Sequence, residues 1–209
     1  MDGIDTILLD WDGTIMDTAE VSFSAFQKAQ SDLGISITHD YYKQIYAPNW
    51  YHMYEALHLP RDKWEEADNL WLRHYGEEVP EFVDHADRVL NELVKRNYQL
   101  GVVTSGSRSR VRREIRLLGL GETFGTVVCN EDVANKKPHP EGLEMAMKRM
   151  NKRREVCCYV GDSAADVEMG KRADVKTVGI QGHYPGRDKL QESSPDYYFE
   201  SIVGLLDLF

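Results

Sequence analysis

The chain has little cysteine, no long apolar run, no excess of basic charge and no repetitive segment, and each shortage removes a class of protein. Its three cysteines, Cys129, Cys157 and Cys158, are odd in number, lack CxxC spacing and stand in or beside apolar runs. That pattern argues against a disulfide framework or a metal site and predicts buried, reduced thiols. No stretch approaches the roughly 20 apolar residues of a membrane-spanning helix. The acidic N-terminus does not resemble a signal peptide, so a cytoplasmic protein is expected. Lysine and arginine number 25 against 35 aspartates and glutamates, a formal charge of −10. This argues against a nucleic acid or an anionic membrane as partner. A small phosphorylated metabolite stays open, because a cation and a few basic groups can reverse the field inside one cleft.

What is present is an ordinary globular composition, 42% hydrophobic over 209 residues, enough for one good core or a core with a smaller insertion. From residue 85 onward, helical and strand patterns alternate. His85 to Arg96 places Ala86, Val89, Leu90, Leu93 and Val94 on one helical face. Leu100 to Val103 is expected as a buried strand, Ser107 to Leu118 as a basic helix, and Thr126 to Cys129 as a strand. Glu141 to Met150 follows as a helix, Val156 to Val160 as a strand, Ser163 to Arg172 as a helix and Thr177 to Ile180 as a strand. With Ile4 to Leu9 this makes about five strands and their crossovers, an α/β parallel sheet covered by helices.

Residues 18 to 80 break the rhythm. They contain no convincing strand but four helical segments, Thr18 to Leu33, Asp40 to Tyr46, Tyr51 to Leu57 and Asp62 to Tyr75, punctuated by Pro48, Pro60 and Pro80. Their concentrated aromatics predict the core of a small helical bundle. The expected division is a core of residues 1–16 and 82–209 with a helical insertion of residues 17–81. The insertion is expected to act as a lid, with hinges near Thr14–Thr18 and Pro80–His85.

In an open parallel sheet, ligands bind beyond the carboxyl ends of the strands. Here the first strand ends at Asp10-Trp11-Asp12-Gly13-Thr14 and the second at Thr104-Ser105-Gly106-Ser107. The loop after the third carries Lys136-Lys137-Pro138-His139-Pro140, and the fourth ends at Gly161-Asp162-Ser163-Ala164-Ala165-Asp166. Each has a plain explanation alone: Thr104 or Ser105 as a helix cap, Lys136 and Lys137 as solvated charges, Asp12-Gly13 as a turn. Asp10, at the end of an apolar strand, resists one, since a buried charge needs a cation or a reaction to compensate it. Together the groups suit phosphoryl transfer. Asp10 and Asp162 would share a hard dication such as Mg2+. An aspartate can attack phosphorus, and Asp12, two residues on, could move a proton. Thr104 and nearby backbone N–H groups could hold phosphate oxygens, a lysine before Pro138 could neutralise developing charge, and Asp166 could orient the metal from behind.

At these residues the chain resembles the haloacid dehalogenase-like superfamily, in the form with a helical cap between its first and second motifs, and is similar to phosphoglycolate phosphatase and its relatives. Asp10 to Thr14 matches the DxDGT motif, Thr104 the second, Lys137-Pro138-His139-Pro140 the third and Gly161 to Asp166 the GDSxxD fourth. The resemblance implies a Rossmann-like, three-layer core with an inserted helical cap. It makes Asp10 nucleophile and Mg2+ ligand, and Asp12 acid/base and a ligand through its carbonyl. Thr104 and Lys137 become phosphate-binding, Asp162 a ligand and Asp166 its support; Thr14, Ser105 and Gly106 are further candidates to hold the phosphate. The retained Asp12 counts against the dehalogenase branch. The stretch Ala47 to His52 has no basic residue to grip a second phosphate, which favours a hydrolase over a sugar phosphomutase. A non-catalytic member would be expected to have lost one of these groups. Within the cap, Asn49 and Trp50, with Tyr51 and His52, are candidates for substrate contact. Arg108, past the phosphate turn, is a further candidate, or else one of several solvated or paired arginines. A monomer or weak homodimer is expected.

Overall fold

The structure is a computed structural model that describes every residue except 2, 48 and 77–79, so the break expected at Pro48 lies outside the described residues. The chain divides into two compact units, Met1–Asp17 with Glu81–Phe209, and Thr18–Pro80. Along the chain the elements are β1 (Thr6–Leu9), β2 (Met16–Asp17), α1 (Ala19–Asp32), α2 (His39–Ile45), α3 (Trp50–Ala56), α4 (Trp64–Tyr75) and β3 (Glu81–Phe82). There follow α5 (Ala86–Lys95), β4 (Gln99–Val103), α6 (Arg108–Leu117), β5 (Phe124–Val128), α7 (Glu141–Arg149), β6 (Cys157–Gly161) and α8 (Ala164–Arg172). The chain closes with β7 (Lys176–Ile180), α9 (Arg187–Glu192), β8 (Tyr197–Phe199) and α10 (Leu205–Leu208).

The first unit is built on a parallel sheet in the order β5-β4-β1-β6-β7-β8, the Rossmann-like α/β core that the sequence predicts. Alternation on β1 explains the layering. Ile7 and Leu9 point to one face, where they meet Val102, Val160 and the buried sides of α5 and α6. Leu8 points to the other, against Val103, Tyr159, Met169 and Leu143. A strand buried on both faces must be apolar throughout, which is why β1 reads as a continuous run. Each aliphatic side chain so enclosed contributes about 1.5–3 kcal/mol. The register pairs Leu9 with both Val102 and Val160, so the central strand and its two neighbours stop at one level. All three cysteines are buried and unpaired.

Two sequence expectations need correction. Val94 does not join the inward stripe of α5: Ala86, Val89, Leu90 and Leu93 are buried, but Val94, a further 100° round the helix, is 45% exposed. Among the described residues the sheet has six strands rather than about five. The extra one, β8, is a three-residue edge strand behind Ser193-Ser194-Pro195-Asp196, a run that reads as loop. β2 and β3, two residues each and antiparallel, were also too short to register as a period.

The second unit packs α1 to α4 around Phe26, Ile37, Tyr42, Met53, Tyr54, Leu59 and Ala67. Its aromatic wealth has a polar centre. Asp68 accepts hydrogen bonds from Trp50 Nε1 at 2.9 Å, Tyr51 Oη at 3.1 Å and Tyr54 Oη at 3.0 Å. Tyr51 also stacks on Trp64, centroids 4.9 Å apart. Burial and the Asp68 charge push the Tyr51 phenol up to about 12, so it remains a donor. Among the described residues no helix is long and apolar enough to cross a membrane. Replacing Asp68 by Ala strands three partly buried donors at once. Urea unfolding of Asp68→Ala is expected to show a loss of about 1–3 kcal/mol, most of it recovered in Asp68→Asn.

Candidate active site

β1 delivers Asp10 to the rim of the sheet: its N–H donates to Val160 O at 2.8 Å, one step past the last ladder pair, and the residue is 7% exposed. The chain then turns sharply, with Ile15 N and Met16 N both donating to Trp11 O at 3.0 and 2.9 Å. Gly13 adopts φ +77°, in the left-handed region that favours glycine. A Cβ there would lie 2.1 Å from Asp162 Oδ2, and one at Gly182 would lie 2.4 Å from the same atom. Two glycines from separate loops thus leave the space the Asp162 carboxylate fills. Thr14 is fully buried and its Oγ1 has no hydrogen-bond partner among the described residues.

Lys137 reaches into this rim. Its Nζ stands 2.8 Å from Asp10 Oδ1 and 2.7 Å from Asp166 Oδ1, and 5.5 Å from the centre of the Tyr159 ring. Asp166 Oδ1 also lies 3.0 Å from Tyr159 Oη, while Asp166 Oδ2 accepts the Ser163 N–H at 3.0 Å and the Ser163 hydroxyl. The Ser163 side chain in turn accepts from Asp166 N, a reciprocal cap on α8. Both oxygens of Asp166 are therefore engaged by protein. Lys136, one residue earlier, donates to the carbonyls of Asn130 and Val133 instead. Adjacent lysines thus serve different ends, one bracing its loop and the other entering the site.

Asp10, Asp162 and Asp166 offer carboxylate oxygens that all lie within 4.8 Å of one another. Burial pushes the Asp10 carboxyl up to about 7, reinforced by Asp166 and Asp12 and opposed by Lys137. Burial, then the charges of Asp166 and Asp10, hold Asp162 well above the ordinary carboxylate range. For Lys137 burial works against the ammonium, yet Asp10 and Asp166 outweigh it and its pKa lies above the usual lysine value. One ammonium cannot neutralise three carboxylates. The cluster is short of positive charge and contains only oxygen donors, the requirement of a hard dication such as Mg2+ rather than zinc. Asp10 and Asp162 are the residues that could hold one.

Thr104 continues β4, its N–H donating to Val128 O at 3.0 Å, and its Oγ1 accepts the Gly106 N–H at 3.0 Å. Thr104, Ser105 and Lys137 line one small cavity. Ser107, not Thr104 or Ser105, is the N-cap of α6. Arg108 is engaged locally: its N–H donates to Glu131 at 2.9 Å and its guanidinium to Asp132 at 3.1 Å. In the helical unit, Asn49 Oδ1 caps α3 by accepting Tyr51 N at 3.2 Å, and the Trp50 indole is committed to Asp68.

Sequence reasoning missed Arg110. Both its terminal nitrogens bond the Asp12 carboxylate, Nη1 to Oδ1 at 2.9 Å and Nη2 to Oδ2. The available signal was periodicity. Arg110, Val111, Glu114 and Ile115 form the buried face of α6, so an arginine and a glutamate share its apolar side.

Residues 7–180 match the model of the haloacid dehalogenase-like hydrolases, and the chain belongs to that family. The pyrophosphatase PpaX of Bacillus velezensis is 31% identical to it over 98% of this chain and 96% of its own. Among solved structures, a predicted phosphoglycolate phosphatase from Haemophilus somnus superposes with a TM-score of 0.88 at 18% identity, covering 100% of this chain and 99% of its own. CbbY from Rhodobacter sphaeroides, in complex with phosphate, gives 0.84 at 20% identity over 97% and 96%. These two likenesses are of fold.

The raised carboxyls fix a pH dependence for the metal-free protein. Asp10 and Asp162 keep their protons to higher pH folded than unfolded, where a carboxyl titrates near ~4. The folded chain therefore binds more protons between about pH 4 and about 7, and stability from this source is full below that window and lost as pH rises through it. Thermal melts of chelator-treated protein should fall in midpoint from mildly acidic to mildly alkaline buffer. Added Mg2+ should restore most at the alkaline end, and Asp10→Asn should flatten the slope. A chelated midpoint that does not fall across this range would contradict the charge deficit.

Proposed function

We propose that this hydrolase is a Mg2+-dependent phosphatase that cleaves a small phosphomonoester through an aspartyl phosphate. The observation that carries the proposal is the buried Lys137 bridging Asp10 and Asp166 with Asp162 close by, while Asp12 stays outside the cluster. A carboxylate for attack and a second carboxylate for proton movement are thereby kept apart.

In the first step an Asp10 carboxylate oxygen attacks phosphorus. The new aspartyl O–P bond forms as the bond to the leaving oxygen breaks, and Asp12 gives that oxygen its proton. In the second step Asp12 takes a proton from water, whose oxygen attacks the same phosphorus. The aspartyl O–P bond breaks, and inorganic phosphate and free Asp10 result. Lys137 opposes the charge on the transferred group, and Thr14, Thr104, Ser105 and Gly106 hold its oxygens. Mg2+, when held by Asp10, Asp162 and the Asp12 carbonyl, supplies positive charge against the phosphate. Asp166, saturated by Lys137, Tyr159 and Ser163, keeps the lysine and its own loop in place.

The relatives support a small phosphorylated substrate, and inorganic pyrophosphate and phosphoglycolate head the panel to be tried. The cap assignment belongs to the same proposal: residues 17–81 form the insertion that selects the leaving group. The partners recorded for Asn49 and Trp50 give both structural work, so their part in substrate contact would be shared with that work.

With Mg2+, phosphate release from p-nitrophenyl phosphate, pyrophosphate and phosphoglycolate is expected for at least one substrate. Asp10→Asn should lower kcat by on the order of a thousandfold or more. Lys137→Ala should cost on the order of a hundredfold. Turnover that survives Asp10→Asn would remove the nucleophile assignment.

A further inference from the structure

Helix α6 is rich in arginine, yet one of its arginines is enclosed. The Arg110 side chain is 6% exposed and that of Glu114, one turn on, is 1%. Taking two opposite charges out of water is costly before their attraction is counted, and apolar residues of similar size often serve stability as well. A buried pair at this place invites a further reason.

The geometry supplies one. The guanidinium meets the Asp12 carboxylate with two nitrogens on two oxygens, the fork-on-fork arrangement that fixes orientation as well as distance. Arg110 Nη1 also lies 3.3 Å from Glu114 Oε2. That same Glu114 oxygen accepts the Trp11 indole N–H at 2.6 Å. Trp11 is fully buried and stands between Asp10 and Asp12 in the chain. The contacts therefore close a ring: Asp12 carboxylate, Arg110, Glu114, Trp11 side chain, and the backbone from Trp11 back to Asp12. The carboxylate is held at its tip and its backbone is held from behind.

Gly106 belongs to the same arrangement. A Cβ at that position would lie 2.4 Å from Arg110 Nη2 and 3.2 Å from Asp12 Oδ2. The residue after Ser105 must be small for the guanidinium to cross to Asp12. Asp12 itself remains 21% exposed. A carboxylate has about four lone-pair sites, of which a bidentate arginine uses two. The others stay available to a reacting oxygen.

We infer that Arg110 is a positioning residue: it fixes the Asp12 carboxylate, with Glu114 and Trp11 bracing the guanidinium, so that Asp12 meets the leaving oxygen in one orientation. The inference rests on the acid/base assignment of Asp12 proposed above. It differs from a merely structural role in what it predicts for different substrates. An ester whose leaving group is already a weak base needs little protonation, whereas an alkyl alcohol cannot leave without it.

The test is kcat/KM with Mg2+ across phosphate monoesters running from dinitrophenyl through phenyl to alkyl, for wild type, Arg110→Met, Arg110→Lys, Asp12→Asn and Asp12→Asn/Arg110→Met. Arg110→Met is expected to cost on the order of ten- to a hundredfold on alkyl esters, part of the range of general acid catalysis, and only a few-fold on the dinitrophenyl ester. The loss should fall on kcat rather than KM. Arg110→Lys, which keeps a cation but not the fork, should recover only part of it. In the Asp12→Asn background, Arg110→Met should add nothing, because residues acting as a unit are not additive. Should Arg110→Met not fold, the steeper leaving-group dependence is required of Arg110→Lys. Active wild type with a uniform loss across all esters, or with additive effects in the double variant, overturns the inference alone. Wild type that releases phosphate from none of the esters overturns the proposed function and this inference with it.

Discussion

Negative charge held out of water at the end of a strand is the constraint from which the rest of this molecule follows. Asp10, Asp162 and Asp166 converge within 4.8 Å, and burial pushes Asp10 and Asp162 towards their protonated forms. Keeping such a group charged requires a cation, and among the described residues the Lys137 ammonium is the one that meets it, bridging Asp10 and Asp166. The shortfall is a design element rather than a defect. Under the function proposed above, it would make the rim of the sheet a place where a dication and a phosphate belong together, each offsetting the charge of the other.

The sheet brings this about by register. With β1 in the middle and its neighbours ending at the same level, residues far apart in sequence arrive side by side. Apolar alternation on β1 sets that register: a slip of one residue would turn Leu8 to the face of Ile7 and Leu9 and unseat both cores. The small residues of the loops are the complement. Gly13 and Gly182 leave room for a carboxylate and Gly106 for a guanidinium, so charged groups approach closely without strain in the backbone that carries them.

How much of this was legible depended on whether a residue's role was local. Asp10 stood out because a carboxylate directly after a buried strand has no packing explanation. Lys137 could be told from Lys136 by the proline that follows it, and the two side chains do part company. Strand and helix periods carried the sheet, apart from β8, whose three residues offer no period and whose approach is turn-like. Val94 failed because the stripe was drawn one residue too wide. The structural work of Trp50 could not be read, because its partner, Asp68, is 18 residues away and invisible to spacing. Long-range polar pairs are what a single sequence conceals.

Arg110 is the sharpest instance. On a helix bearing Arg108, Arg110, Arg112, Arg113 and Arg116, charge alone suggested a solvated face. Only helical phase separates them: the buried side of α6 runs through Arg110, Val111, Glu114 and Ile115, and an ion pair one turn apart on an apolar side has to answer to something across the interface. That something is 98 residues away, the Asp12 carboxylate. The same pairing gives Trp11 a reason beyond bulk, since its indole nitrogen needs an acceptor when buried and finds it in Glu114. The residue between the two aspartates, the glycine of the turn after β4 and the arginine of the following helix are therefore one choice made at three positions. A change at any one of them shifts the demands on the other two.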